Sequence, residues 1–328
     1  GYDSINEKLS EIEFKIQDIS LFFRANKIKI NKEFFIEKFD SKEEIKPSVF
    51  YDFFKCFDEY IEKGKLTKTP NTIKGQTTVK NYLENFSNET AFDISFDRIN
   101  DFFFDSLMMY SYQTKEIKQN YFAKIIKVLK SFLSWATEKG YNTNREFEKF
   151  KAQEHDIDII FLTFEELMRL YNFQFDSDRL SHARDFYCMG CFTGLRFSDL
   201  EKLHLANITD EHIILSIQKT KTQNHAIKLN KFAKAILDKY KGTIYEPLPR
   251  ISSQKFNEYI KECCKLAEIN QLFTIHWFVG NKKKSLTQPK YKFITSHTAR
   301  KTFITNSLLL GMEPKAIKKI ANIKKDAV

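Results

Sequence analysis

Apolar residues recur along most of this chain at spacings of three and four, the repeat of a helix face. Ile5, Leu9, Ile12, Ile16 and Ile19 form such a seam within residues 4–26, a face suited to packing on its own chain or to contact between protomers. A short helical stretch follows over 32–39. The stretch 48–65 then carries Val49, Phe50, Phe53, Phe54, Phe57, Tyr60 and Ile61 on one broad face. Further helices are expected over 77–86, 99–113 and 116–140, the last stopped by Gly140. Residues 46–141 therefore predict an all-helical domain, preceded by a helical connector over 1–45.

The polar stretch 142–156 lacks apolar periodicity and reads as a linker. Beyond it the pattern changes. Thr163 and Glu166 have the spacing of a helix-start capping box. A helix-like run over 180–203 is followed by two alternating, strand-like runs, 212–219 and 225–230. Helices are expected again over 231–240, 252–267, 298–310 and 314–321. The fold class is thus mainly α with a small β-sheet: a helical domain, then a mixed α/β domain over 157–328.

Composition narrows the partners. Hydrophobic residues make up 42% of the 328 positions, which fits a globular chain with real cores. No apolar run is long enough for a membrane span and the start shows no secretory signal, so a cytoplasmic protein is expected. A net charge of +10 favours a polyanion such as nucleic acid. Lysines of the helical half such as Lys68, Lys74, Lys80, Lys118, Lys124 and Lys127 could face phosphate, while each taken singly reads as a solvated surface charge. Cys188 and Cys191 form a CxxC without a second pair. They read, with Cys56, Cys263 and Cys264, as buried thiols and not as metal ligands.

The candidate chemistry lies in two segments, GCFTGLRFSDL (190–200) and ITSHTARKTFIT (294–305). Arg196 and Arg300 can hold the non-bridging oxygens of one phosphate in paired, charge-assisted hydrogen bonds. His297, one helical turn before Arg300, can donate a hydrogen bond or pass a proton. Asp199 is one turn beyond Arg196 and suited to support it.

These segments resemble the two arginine boxes of the tyrosine recombinases, the integrase family, and most closely those of integrases from Bacteroides-type mobile elements. The resemblance implies a helical core-binding (SAM-like) domain followed by a catalytic domain, clamped around double-stranded DNA as a homotetramer on paired sites. It implies no metal and no cofactor. Arg196, His297 and Arg300 take the catalytic positions, with Asp199 supporting the first arginine. The run SIQKTKTQNHAIKLN (216–230) resembles the family's β-hairpin, whose lysine is the general acid; Lys221 fits that position, with Lys219 its rival.

Two positions depart from the family pattern. Ile323 stands where the family has His or Trp, leaving that contact absent or supplied by a neighbour such as Lys324. No tyrosine follows Tyr291, so the nucleophile is expected beyond Val328 and the chain as given is expected to be inactive. An arm-binding domain is a further expectation ahead of residue 1. The function expected is site-specific recombination through a 3′-phosphotyrosyl intermediate. The alternatives are a non-catalytic DNA-binding protein derived from an integrase and, sharing the same chemistry, a type IB topoisomerase.

Overall fold

A computed structural model describes residues 51–217, 220 and 222–323, the helix at 32–40, and residues 8–10, 12–13, 15–16 and 19–20. The last group is helical, with Ile19 buried and Leu9, Ile12 and Ile16 exposed; Ile5 lies outside the described residues. Helix α1 is Lys32–Asp40. The chain divides into two units, 1–155 with 279–281, and 156–278 with 282–328.

In the first unit, α2 (Phe53–Gly64) begins where the Asp52 carboxylate accepts the Lys55 N–H at 2.8 Å. That cap starts the helix after Val49 and Phe50, which lie outside the described residues. Phe53, Phe57, Tyr60 and Ile61 form its buried stripe. Helix α3 (Pro70–Thr90) is far longer than the expected 77–86. Thr69 caps it and Pro70 takes the first turn, a start signal that outweighs the internal Gly75. Helix α4 (Asp101–Met109) runs into a π-helical turn at Tyr110–Thr114. Helix α5 (Gln119–Glu138) buries Phe122, Ile125, Ile126, Leu129, Phe132, Leu133 and Ala136 along one face. Phe132 meets Phe57 edge-on with ring centroids 4.1 Å apart. The polar stretch after α5 is not bare. Phe147 and Phe150 enter this core, and the Asn144 amide donates to the carbonyls of Phe96 and Ile99.

The second unit opens with α6 (Phe164–Asn172), where the expected capping box is formed by Thr163 and Glu166. The expected helix 180–203 is three pieces: α7 (Asp178–Thr193), the single turn α8 (Phe197–Leu200) and a 3-10 turn at Leu203–Leu205. Gly194 makes the break between the first two. Its φ is +70°, and a Cβ there would stand 2.6 Å from the Phe303 ring. Only glycine meets both conditions.

An antiparallel sheet follows in the order β1 (Asn207–Ile208), β2 (His212–Ile217), β3 (Thr222–Lys228). Ile213 pairs with Ile227 and Leu215 with His225, and a bulge separates Leu215 from Ile217. Helices α9 (Lys231–Tyr240) and α10 (Ser253–Leu266) pack on α7. A hairpin of β4 (Leu272–Val279) and β5 (Lys282–Pro289) occupies a stretch to which the sequence pattern assigns no element. β5 is largely exposed, and β4 is partly buried on both faces without alternating, so the pattern that marks a half-buried strand is weak. Helices α11 (Ser296–Leu309) and α12 (Pro314–Ile320) complete the unit. The five cysteines are buried and unpaired, and burial pushes the Cys188 and Cys191 thiols well up, away from the thiolate a metal needs. No helix among the described residues is long and apolar enough to cross a membrane.

Candidate functional site

Helix α11 carries His297 and Arg300, and its polar residues fix it in place. The Thr295 N–H donates to Thr298 Oγ1 at 3.1 Å, and the Thr298 hydroxyl meets Tyr187 Oη at 2.9 Å. The Ser296 N–H donates to Asn257 Oδ1 at 2.8 Å. Further along, Thr302 Oγ1 accepts the Leu162 N–H and the Asn306 amide donates to the Leu162 carbonyl. On the α7 side, Gly190 lets the helices approach, since a Cβ there would stand 3.0 Å from that of Ala299.

This packing brings the two arginine segments together. Arg300 Nη1 donates to the Gly194 carbonyl at 2.8 Å. Arg196 lies two residues beyond Gly194, at the start of α8 in extended conformation. Burial, with the charge of Arg196 nearby, pushes the Arg300 pKa down to about 10; Asp199 opposes the shift. Arg300 therefore remains a cation at neutral pH, in a desolvated setting where its charge acts strongly.

Asp199 Oδ2 is 3.8 Å from Arg196 Nη1. Both atoms are buried, and neither has a hydrogen-bond partner among the described residues. Burial raises the Asp199 pKa, while the charges of Arg196, Arg300 and His225 pull it down. The carboxylate thus lies among three cationic or potentially cationic groups, and Arg196 keeps an unused buried donor. Such a donor beside a second guanidinium suits an oxyanion.

His297 is exposed in the first turn of α11, one turn before Arg300 and so on the same side of the helix. Lys219 and Lys221 lie outside the described residues, as does Lys324. Ile323 packs beside Phe303, Ile317 and Ala321 in a small apolar cluster, a core role that leaves it nothing to offer a phosphate.

The sequence patterns pass over two residues at this site. His225 occupies an inward position of β3, and its Nε2 meets the Ile320 carbonyl at 2.8 Å. A polar residue at an apolar step of the alternation is its only trace in the sequence. Asn322 is buried with φ of +48°. Its carbonyl accepts Arg196 Nη2 at 3.3 Å, and its amide donates to Thr220 Oγ1 at 2.7 Å and Thr222 Oγ1 at 3.1 Å.

In the first unit, Lys124 and Lys127 are exposed on α5. Lys127 also lines a cleft of about 490 Å³ with Lys130, Ser131, Ser134 and Lys151. Lys80, by contrast, is committed to Asp58 at 2.8 Å and Glu84 at 3.2 Å, and Lys68 lies over the Tyr60 ring. These two are tied to protein neighbours and are weaker candidates for phosphate.

Residues 52–152 match the family described as phage integrase SAM-like domain. No curated protein matches the chain. Among solved structures, a lambda integrase tetramer bound to a Holliday junction is similar with a TM-score of 0.62 at 15% identity, covering 91% of this chain and 86% of that one. A lambda integrase (75–356) dimer bound to a COC′ core site gives 0.59 at 16%, covering 83% and 92%. The Tn1549 transposon integrase (82–397) in complex with circular intermediate DNA gives 0.58 at 16%, with the same coverages. The chain therefore carries a phage integrase SAM-like domain at residues 52–152, within the mainly helical two-part fold of the lambda and Tn1549 integrases.

Proposed function

We propose that this chain is the core-binding and catalytic part of a tyrosine-type site-specific DNA recombinase. The observation that carries the reading is the meeting of Arg196 and Arg300 around buried Asp199, with Arg196 Nη1 left unused. In this reading residues 46–141 grip duplex DNA, 142–156 lead on from them with Phe147 and Phe150 packed into the same core, and 157–328 do the chemistry. The narrower likeness to integrases of Bacteroides-type elements rests on the sequence boxes alone.

Arg196 and Arg300 bind the non-bridging oxygens of the scissile phosphate. A tyrosine of the intact protein attacks phosphorus and loses its phenolic proton, with His297 the nearby base. The bond from phosphorus to the 5′-oxygen breaks, and a lysine of the β2–β3 turn, Lys221 or Lys219, protonates that oxygen. The product is a 3′-phosphotyrosyl link, reversed by a partner strand's 5′-hydroxyl. Charge developing on the pentacoordinate phosphorus is met by guanidiniums already fixed in place, and this preorganisation is the source of rate. Energy conserved in the covalent link removes the need for a nucleotide cofactor. Double-stranded DNA is the substrate, a homotetramer on two sites the working assembly, and the cytoplasm its compartment.

One observation favours a second reading. Ile323 belongs to the apolar cluster, so the family's third phosphate contact is not made by that residue. An integrase derivative that binds DNA without cutting it would share every other feature. Incubating the complete gene product with a nicked duplex carrying its own site separates the two. A covalent protein–DNA adduct supports the recombinase. Tight binding of that site without any adduct overturns it in favour of the DNA-binding reading.

A further inference from the structure

We infer that Asn322 is a positioning residue, holding the β2–β3 turn that bears the general-acid lysine against Arg196. The inference rests on the recombinase reading above and deepens it.

The contacts link one small group of side chains. The Asn322 amide donates to both Thr220 Oγ1 and Thr222 Oγ1, at 2.7 and 3.1 Å. Thr222 Oγ1 returns a longer contact to Asn322 Oδ1 at 3.4 Å, and the two threonine hydroxyls are 3.0 Å apart. These threonines flank Lys221, and Thr220 is also the immediate neighbour of Lys219. Either lysine is thus joined by one peptide bond to a residue whose side chain Asn322 holds.

The same residue faces the phosphate-binding side. Its left-handed backbone turns the carbonyl to Arg196 Nη2. Asparagine tolerates that conformation better than other side-chain-bearing residues. The segment is fixed a second time two residues earlier, where His225 meets the Ile320 carbonyl. A neutral amide neither gives nor takes a proton at working pH, so it cannot be the acid itself. What it supplies is geometry: it ties the turn of the proton donor to the arginine that binds the phosphate. For a proton transfer concerted with departure of the 5′-oxygen, that registry sets the rate.

The test uses the complete gene product and two duplexes carrying its site. One has the ordinary scissile phosphate. The other has sulfur in place of the bridging 5′-oxygen, a thiolate leaving group that departs without a proton. Asn322→Gly keeps the left-handed backbone and the carbonyl while deleting the amide. Thr220→Val with Thr222→Val removes the acceptors without touching Asn322. Both variants should form adduct roughly 10-fold or more slowly on the oxygen duplex and within about 2-fold of the parent on the sulfur duplex. Duplex affinity should be unchanged, which confirms folding. Equal slowing on both duplexes, or no slowing on the oxygen duplex, overturns the inference and leaves the recombinase reading standing. Absence of adduct from the parent protein on either duplex overturns that reading, and the inference with it.

Discussion

Arg300 donates through Nη1 to the carbonyl of Gly194, the residue that ends α7 two positions before Arg196. One side chain of the second segment thereby fixes the turn from which the first segment's arginine projects. The two boxes are mechanically one site. The bond also leaves the rest of the Arg300 guanidinium for another acceptor, since arginine carries five donors in a rigid fork.

Gly194→Ala should disrupt this joint. The substitution places a Cβ 2.6 Å from the Phe303 ring and strains a backbone at φ of +70°. A loss of more than about 2 kcal/mol is expected from strain and overpacking together. Chemical denaturation of the purified variant measures it, and a loss near zero would show that Phe303 and the helix end move without cost.

Arg196→Ala and Arg300→Lys in the complete gene product should each slow adduct formation by roughly 10²–10³-fold, the effect of deleting one preorganised donor. Lysine at 300 keeps a charge but lacks the fork needed to hold the Gly194 carbonyl and a phosphate oxygen together. Duplex affinity should change little, because many other phosphate contacts share it. Single-turnover cleavage beside a binding titration separates the two effects; equal loss in both would assign these arginines to binding alone.

Asp199 gives a pH signature. Burial holds its folded pKa above the ordinary value of 3.8. Its protonated form is therefore the one the fold favours, contributing stability that is full below the unfolded pKa and is lost as pH rises through the folded one. Asp199→Asn removes this titration. The stability of the parent relative to the variant should be larger at pH 4 than at pH 7. Thermal melts at both values test the sign, and a difference that grows with pH would contradict the burial argument.

Duplex binding should weaken steeply with salt. With six or more phosphates neutralised, affinity should fall roughly 10³-fold or more between 50 and 200 mM salt, as counterions are released. Removing Lys124 and Lys127 should flatten that slope, whereas removing Lys80 should not, because Asp58 and Glu84 already hold it. Fluorescence anisotropy at several salt concentrations provides the measurement.

The helices were legible where one face is buried. The stripe of α5 and the capping box of α6 announce themselves in the order of residues. The apolar repeat understates helix α3, because its start lies in a polar Thr69–Pro70 cap and not in that repeat. The β4–β5 hairpin leaves no such mark, because β4 is partly buried on both faces and β5 is largely exposed, so neither strand alternates. At the site, Arg196, Asp199 and Arg300 were visible from their flanking residues. His225 and Asn322 were not. Their importance comes from contacts with residues distant in sequence and from a left-handed backbone, neither of which a local pattern encodes.

The unequal anchoring of the last two helices has a dynamic consequence. Helix α11 is bonded to Leu162, Tyr187, Gly194 and Asn257, four segments of the main core. Helix α12 rests chiefly on a satellite of three buried side chains, Phe303, Ile317 and Ala321, and reaches the main core only at its end, where Ile320 packs against it and the Ile320 carbonyl meets His225. Its opening should therefore cost much less free energy than global unfolding, while α11 opens only with the whole unit. Backbone amides over 317–320 should exchange with solvent deuterium well before those over 300–309. A molecule in that opened state keeps Arg300 in place and loses the Asn322 carbonyl from Arg196. The site would then have a resting, half-assembled form that refolds one short helix to become complete.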